Sequence, residues 1–170
     1  MVLGITGGLG CGKSTAAKLF INYGFRHIDS DALVRDEILT QVEIVAAIHA
    51  RFGAEMVAPD GTVNRARVAA LVFTDGEAMR WLENLTHPLV YARWRALLAE
   101  APAARWVLEV PLLFEKQLEN WFDFIACVTC APAQQLTRLE QRGLTRALAA
   151  QRISKQLPLG RKIELSDFVL

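Results

Sequence analysis

Gly7-Gly8-Leu9-Gly10-Cys11-Gly12-Lys13-Ser14-Thr15 carries the spacing G-x-x-x-x-G-K-[ST] on Gly7, Gly12, Lys13 and Ser14. That spacing serves phosphate chemistry. Glycines let the backbone wrap until its N–H groups converge on phosphate oxygens, and the N-terminus of a following helix adds positive potential. Lys13 would reach the β- and γ-phosphates of a nucleotide, and the Ser14 hydroxyl would ligate Mg²⁺. Two carboxylates follow at Asp29 and Asp31. A carboxylate just past a strand end can take the proton of an attacking hydroxyl and orient it in line with a γ-phosphorus. Asp31 also fits a helix N-cap, since a helical run follows it. Asp29 suits either a contact to Mg²⁺-bound water or a purely structural role.

Elements of matching type surround these residues. Val2–Thr6 reads as a short buried strand, and the apolar period from Lys13 to Tyr23 predicts a helix closed by Gly24. Phe25–Asp29 reads as a second strand, and helical periodicity runs from Asp31 to Arg51. Pro59-Asp60-Gly61 is a turn. Asn64 to Ala101 is helical, with breaks expected near Thr74-Asp75-Gly76 and at His87-Pro88. Trp106–Val110 and Phe124–Thr129 lack clean alternation, as strands buried on both faces do. Ala131–Gln141 and Ala147–Gln156 read as helices separated by Gly143, and Asp167–Leu170 starts one more strand. Strands alternating with helices imply a parallel sheet covered on both faces, and the helical stretch from 64 to 101 is too long for one crossover. It is expected to be an inserted subdomain.

The chain has 170 residues, 52% hydrophobic and 22% charged, which excludes a disordered protein and suits one domain. Its longest apolar stretches fall far short of the ~20 residues of a membrane span. No basic leader precedes Val2, so a cytoplasmic protein is expected. The net charge of +1 conceals an uneven distribution. Between 131 and 162, Arg138, Arg142, Arg146, Arg152, Lys155, Arg161 and Lys162 face only Glu140. Mostly arginine, the block suits bidentate phosphate binding or a solvated basic face. Arg138 and Arg142, four apart, are expected on one helix face. Cys127 and Cys130 spell C-x-x-C, but three residues along a strand point to opposite faces and no second pair completes a zinc set. Trp81, Trp94, Trp106 and Trp121 read as packing residues.

A phosphate loop does not name a reaction. A switch GTPase would carry Asp-x-x-Gly and Asn-Lys-x-Asp, and neither occurs. A motor ATPase strand commonly ends in Asp, whereas the corresponding strand here ends in Glu109-Val110-Pro111. The small size and helical insertion suit a small-molecule kinase. The chain then resembles the dephospho-coenzyme A kinase family along almost its whole length. Gly4 to Thr15 is similar to the family's G-L-T-G-G-I-G-S-G-K-S-T, with Cys11 at a serine position. His27-Ile28-Asp29-Ser30-Asp31 resembles V-I-D-A-D, and Asn64-Arg65 with Val72-Phe73 resembles D-R…V-F. His87-Pro88 and Glu109 to Glu115 match H-P and E-x-P-L-L-F-E. Gln135, Arg138 and Arg142 fit Q-x-x-R-x-x-x-R, followed by Gln156, Arg161 and Ser166-Asp167.

The resemblance implies an α/β P-loop NTPase fold of the nucleoside-monophosphate-kinase type, with a five-stranded parallel sheet flanked by helices. One kinase unit is expected over 1–170: a core of 1–54, 103–136 and 157–170, a CoA-side helical insertion at 55–102 and a lid at 137–156. It implies transfer of the ATP γ-phosphoryl group to the 3′-hydroxyl of dephospho-CoA, with Mg²⁺. The catalytic residues would be Asp31, Lys13 and Arg142. ATP would be bound by Gly8, Leu9, Gly10, Cys11, Gly12, Lys13, Ser14, Thr15, Arg138 and Arg142, with Ser14 on the metal. The acceptor would meet Asp31, Arg65, His87, Leu113, Glu115 and Arg161. Both partners are small molecules, and neither nucleic acid, membrane nor an obligate protein partner is expected. Family members continue past Leu170 into an Asn-Gly turn and a final helix. Alternatives are another small-molecule kinase, of nucleoside or gluconate type, or a nucleotide-binding protein whose activity is reduced by the short C-terminus.

Overall fold

The computed structural model describes residues 1–170 as two compact units, 1–29 with 103–170, and 30–102. The first unit is built on a five-stranded sheet. Its strands are β1 (Val2–Gly7), β2 (Arg26–Asp29), β3 (Trp106–Glu109), β4 (Phe124–Val128) and β5 (Phe168–Val169), in the order β2-β3-β1-β4-β5. Every pairing is parallel, and the register places Ile5 and Asp29 beside Glu109. β3 is buried along its whole length, which accounts for its unbroken apolar run. The helices of this unit are α1 (Lys13–Asn22), α6 (Pro132–Gln141), α7 (Arg146–Ser154) and α8 (Leu159–Glu164). Gly24 closes α1 at φ 80°, donating to the Ile21 carbonyl, as its sequence position predicts.

The helical unit contains α2 (Ser30–Leu33), α3 (Val42–Phe52), α4 (Arg65–Thr74) and α5 (Gly76–Glu100). This unit begins at Ser30 and includes the whole stretch, 55–102, expected as the helical insertion. The continuous helix expected over 31–51 is interrupted: Val34–Ile38 widens to a π turn, with the Leu39 amide donating to the Val34 carbonyl. Thr40 then donates its hydroxyl to the carbonyls of Asp36 and Glu37, a local side-chain bond that competes with further backbone turns. The expected break at Asp75 is present, and Asp75 caps α5 by accepting from the amides of Glu77 and Ala78. The break at His87-Pro88 is absent. Pro88 removes one helical hydrogen bond, but Thr86, Val90 and Trp94 are buried around it, and that packing carries α5 through. No helix of the structure is long and apolar enough to cross a membrane.

α8, which the sequence pattern leaves as loop, is held by one residue. Lys162 has no exposed surface; its Nζ donates to the Pro111 carbonyl at 2.8 Å and pairs with Glu115 Oε1 at 2.8 Å. The same carboxylate oxygen accepts from the Leu157 amide at 2.9 Å. Two segments distant in sequence, 111–115 and 157–162, are thereby tied together. Removing one member of a buried ion pair leaves the other charge without a partner, which costs about 3–5 kcal/mol. Lys162→Met should therefore lower stability by about that amount in denaturant unfolding, and Glu115→Gln in the same chain should recover part of the loss.

Candidate active site

The loop between β1 and α1 has a backbone that other side chains cannot copy. At Gly7, φ is 137° and an added Cβ would lie 2.2 Å from the Val128 carbonyl oxygen. Gly12 precedes α1 at φ 104° and offers no side-chain cap, so the positive end of the helix is turned to the loop without a side chain over it. Lys13 Nζ folds back onto the loop, donating to the carbonyls of Gly8 at 3.0 Å and Gly7 at 3.3 Å. Only 7% of Lys13 is exposed. The loop is braced from α6. Gln135 donates its amide to the Leu9 carbonyl at 2.6 Å, and Arg138 reaches the Cys11 carbonyl at 3.2 Å. The expected glycines, Cys11, Lys13, Ser14, Thr15 and Arg138 thus lie in or against one loop at the start of α1.

Below the loop lies a pair of carboxylates. Asp29 and Glu109 end adjacent strands in register, and Ser14 Oγ donates to Glu109 Oε1 at 2.8 Å. Glu109 is 6% exposed, and its Oε2 has no hydrogen-bond partner; His27 Nε2, also without one, is 3.9 Å away. Burial pushes the Glu109 carboxyl above the ordinary glutamate range, and the Asp29 carboxylate adds to the rise; the Ser14 hydrogen bond, Lys13 and His27 act in the opposite direction. The folded chain therefore holds this proton to higher pH than the unfolded chain does. Its contribution to stability falls as pH rises from the ordinary value through the raised one. Glu109→Gln should abolish that fall: ligand-free melting temperature should exceed the wild type's at pH 8 and match it near pH 4, while turnover drops roughly 10²-fold.

Glu109 enters the sequence reading as the end of a strand and the start of a motif, with no role assigned to it, and its importance comes from what the fold places beside it. Lys162 and Gln135 were likewise legible only as members of a basic block and a motif. Other expected residues occupy different surroundings. Arg142 follows Arg138 by four residues as the C-cap of α6, which ends at Gln141, and Gly143 then turns the chain at φ 85°. Arg142 is exposed. Leu113 is fully buried, where a Cβ on Gly4 would collide with its Cδ1, so it packs the core instead of lining a pocket. Glu115 is engaged by Lys162 and Leu157, and Arg161 pairs with Glu164 within α8.

The remaining candidates belong to the helical unit. Asp31 is the second residue of α2, exposed in its first turn, so it does not occupy the N-cap position that the sequence left open. Arg65 starts α4 and lines a cavity of about 290 Å³ with Arg35, Asp36 and Thr62. Arg35 bonds the Asp36 carboxylate and, with Arg65 nearby, holds it below the ordinary aspartate range. His87 is half-buried on α5, its ring 5.8 Å from that of Tyr91.

The comparisons agree along the whole chain. The family model described as Dephospho-CoA kinase matches residues 1–170. A dephospho-CoA kinase of Synechocystis sp. is 40% identical over 172 residues, covering 99% of this chain and 86% of that protein. A crystal structure from Thermus thermophilus superposes with a TM-score of 0.87 at 32% identity, covering 100% of this chain and 87% of that one. The dephospho-CoA kinase from Campylobacter jejuni has the same fold, with a TM-score of 0.71 at 24% identity over 99% of this chain and 86% of its own.

Proposed function

The chain belongs to the dephospho-CoA kinase family, and we propose that it phosphorylates the 3′-hydroxyl of dephospho-CoA with ATP, the last step of coenzyme A synthesis. The observation that carries this is the glycine-held loop with the Lys13 ammonium folded onto its carbonyls at the start of α1, beside a buried carboxylate that accepts from the Ser14 hydroxyl. Phosphoryl transfer is mostly positioning and charge stabilisation. The loop amides and Lys13 hold the β- and γ-phosphates. The acceptor oxygen forms its bond to the γ-phosphorus as the bond to the β,γ-bridging oxygen breaks, and ADP leaves. Asp31 takes the hydroxyl proton. Arg138, already against the loop, and Arg142 in the 137–156 lid offset charge on the phosphoryl group in flight.

The donor set suits magnesium. Ser14 Oγ, the unpartnered Glu109 Oε2 and Asp29 offer hard oxygens only, and no cluster of three or more ligating side chains competes for a softer metal. Mg²⁺ takes few protein ligands and keeps waters and phosphates for the rest. When bound, it would neutralise charge on the β- and γ-phosphates. Arg65, His87, Glu115 and Arg161 are the side chains we assign to the acceptor. Glu115 Oε2 is buried and has no hydrogen-bond partner, so that carboxylate has an acceptor left for a ligand. We place the reaction in the cytoplasm.

A coupled assay of ADP release tests this. Release with ATP, Mg²⁺ and dephospho-CoA, absent without the acceptor, is the expected result. Release with nucleosides or gluconate instead would overturn the acceptor, and nucleotide binding without turnover on any acceptor would overturn the kinase.

A further inference from the structure

The C-x-x-C spacing in the sequence hides a different cysteine pair. Cys127 is fully buried in β4, while Cys130 lies two residues past the end of that strand with its Sγ 3.3 Å from Sγ of Cys11 in the phosphate loop. All three cysteines are free thiols. Cys11 is 3% exposed and Cys130 is half-buried, so only Cys130 offers a solvent path to its sulfur. Cys11 is not an idle part of the loop. Its amide donates to the Gly8 carbonyl at 3.1 Å, its carbonyl accepts from Arg138, and its sulfur lies under Gly8, where an added Cβ would be 2.7 Å from Sγ.

We propose that Cys11 and Cys130 are a peroxide-sensitive thiol pair whose disulfide pulls the phosphate loop out of its nucleotide-binding shape. In the first step the Cys130 thiolate attacks one oxygen of hydrogen peroxide. The O–O bond breaks, water leaves after protonation, and Cys130 becomes a sulfenic acid. In the second step the Cys11 sulfur attacks the Cys130 sulfur and displaces hydroxide, which takes the Cys11 proton as water. Two thiols and one peroxide give one disulfide and two waters, the thiols losing two electrons to the peroxide. Burial and the adjoining Cys130 push the Cys11 thiol up to about 11, against the pull of Lys13, so Cys130 and not Cys11 is the thiol that meets peroxide first.

Geometry supplies the consequence. The sulfurs must close by about 1.2 Å, from 3.3 Å to the roughly 2.05 Å of a disulfide. Cys130 is anchored between β4 and α6, whereas Cys11 is on a loop held by glycines at φ 80° and 104°. Most of the movement therefore falls on Cys11. A displacement of about 1 Å at a phosphate-positioning group can cost roughly 10²-fold.

The experiment uses the full chain treated with hydrogen peroxide, read by intact mass, thiol titration, peptide mapping and calorimetric ADP binding. Expected are a mass loss of about 2 Da, a fall from three titratable thiols to one, a Cys11–Cys130 peptide, and at least tenfold weaker ADP binding restored by dithiothreitol. Cys130→Ser should bind ADP normally and keep binding it after peroxide. ADP binding rests on the phosphate-loop reading but not on the acceptor, so this result stands apart from the outcome of the dephospho-CoA assay. A bridge to Cys127, no bridge at all, a bridge that leaves ADP binding intact, or equal peroxide loss in Cys130→Ser would each overturn the proposal.

Discussion

Lys13→Ala should lower phosphoryl transfer by roughly 10²–10³-fold or more, the scale of losing a preorganised charge-stabilising donor. In the structure Nζ is parked on the carbonyls of Gly7 and Gly8, within the loop that would receive the phosphates. A nucleotide offers oxygens of full negative charge at that place, which outcompete neutral carbonyls for the ammonium. The variant also removes the cation that holds Glu109 down, so the buried carboxyl should stay protonated to still higher pH. Fold and chemistry separate cleanly. The Gly8 carbonyl keeps the Cys11 amide, and the loop stays braced by Gln135 and Arg138. Melting temperature should therefore move little while turnover collapses. Near-normal turnover in the variant would show that the loop does not hold the reacting phosphates.

What the sequence revealed was what short spacing encodes. The phosphate loop lies within nine residues, and its glycines are demanded by backbone angles that any reader of the spacing anticipates. The caps at Gly24 and Asp75 and the turn at Gly61 follow the same local rules. Errors arose where distant packing overrode a local signal. Pro88 predicts a break, yet burial of Val90 and Trp94 keeps α5 continuous. The periodicity from Asp31 to Arg51 conceals the π turn and the break that follows it before α3. Pairing across the fold left no trace in spacing at all. Glu109 meets Ser14 across 95 positions, and Cys130 meets Cys11 across 119. The motif singles out Glu115 as a substrate contact, but no spacing shows that one of its carboxylate oxygens pairs with Lys162.

Asp31→Asn should lower turnover by roughly 10²–10⁴-fold with ATP affinity changed little. The carboxylate follows β2 by two residues, at the carboxyl end of the sheet, where ligands of open parallel sheets bind. Asparagine keeps its shape and one acceptor but cannot take the acceptor's proton. The competing account, an N-cap, loses its basis in the helix start at Ser30, which puts Asp31 inside the first turn. There the charge is exposed at a helix start, and its loss should shift the melting temperature by a few degrees at most. A pH profile adds a readout that stability does not move. If Asp31 is the base, the wild-type rate falls in acid as the carboxylate is protonated, and the residual rate of Asp31→Asn loses that limb. Full turnover and an unchanged acid limb in a normally folded Asp31→Asn protein would assign proton removal to another group, and the buried Glu109 would be the next carboxylate to test.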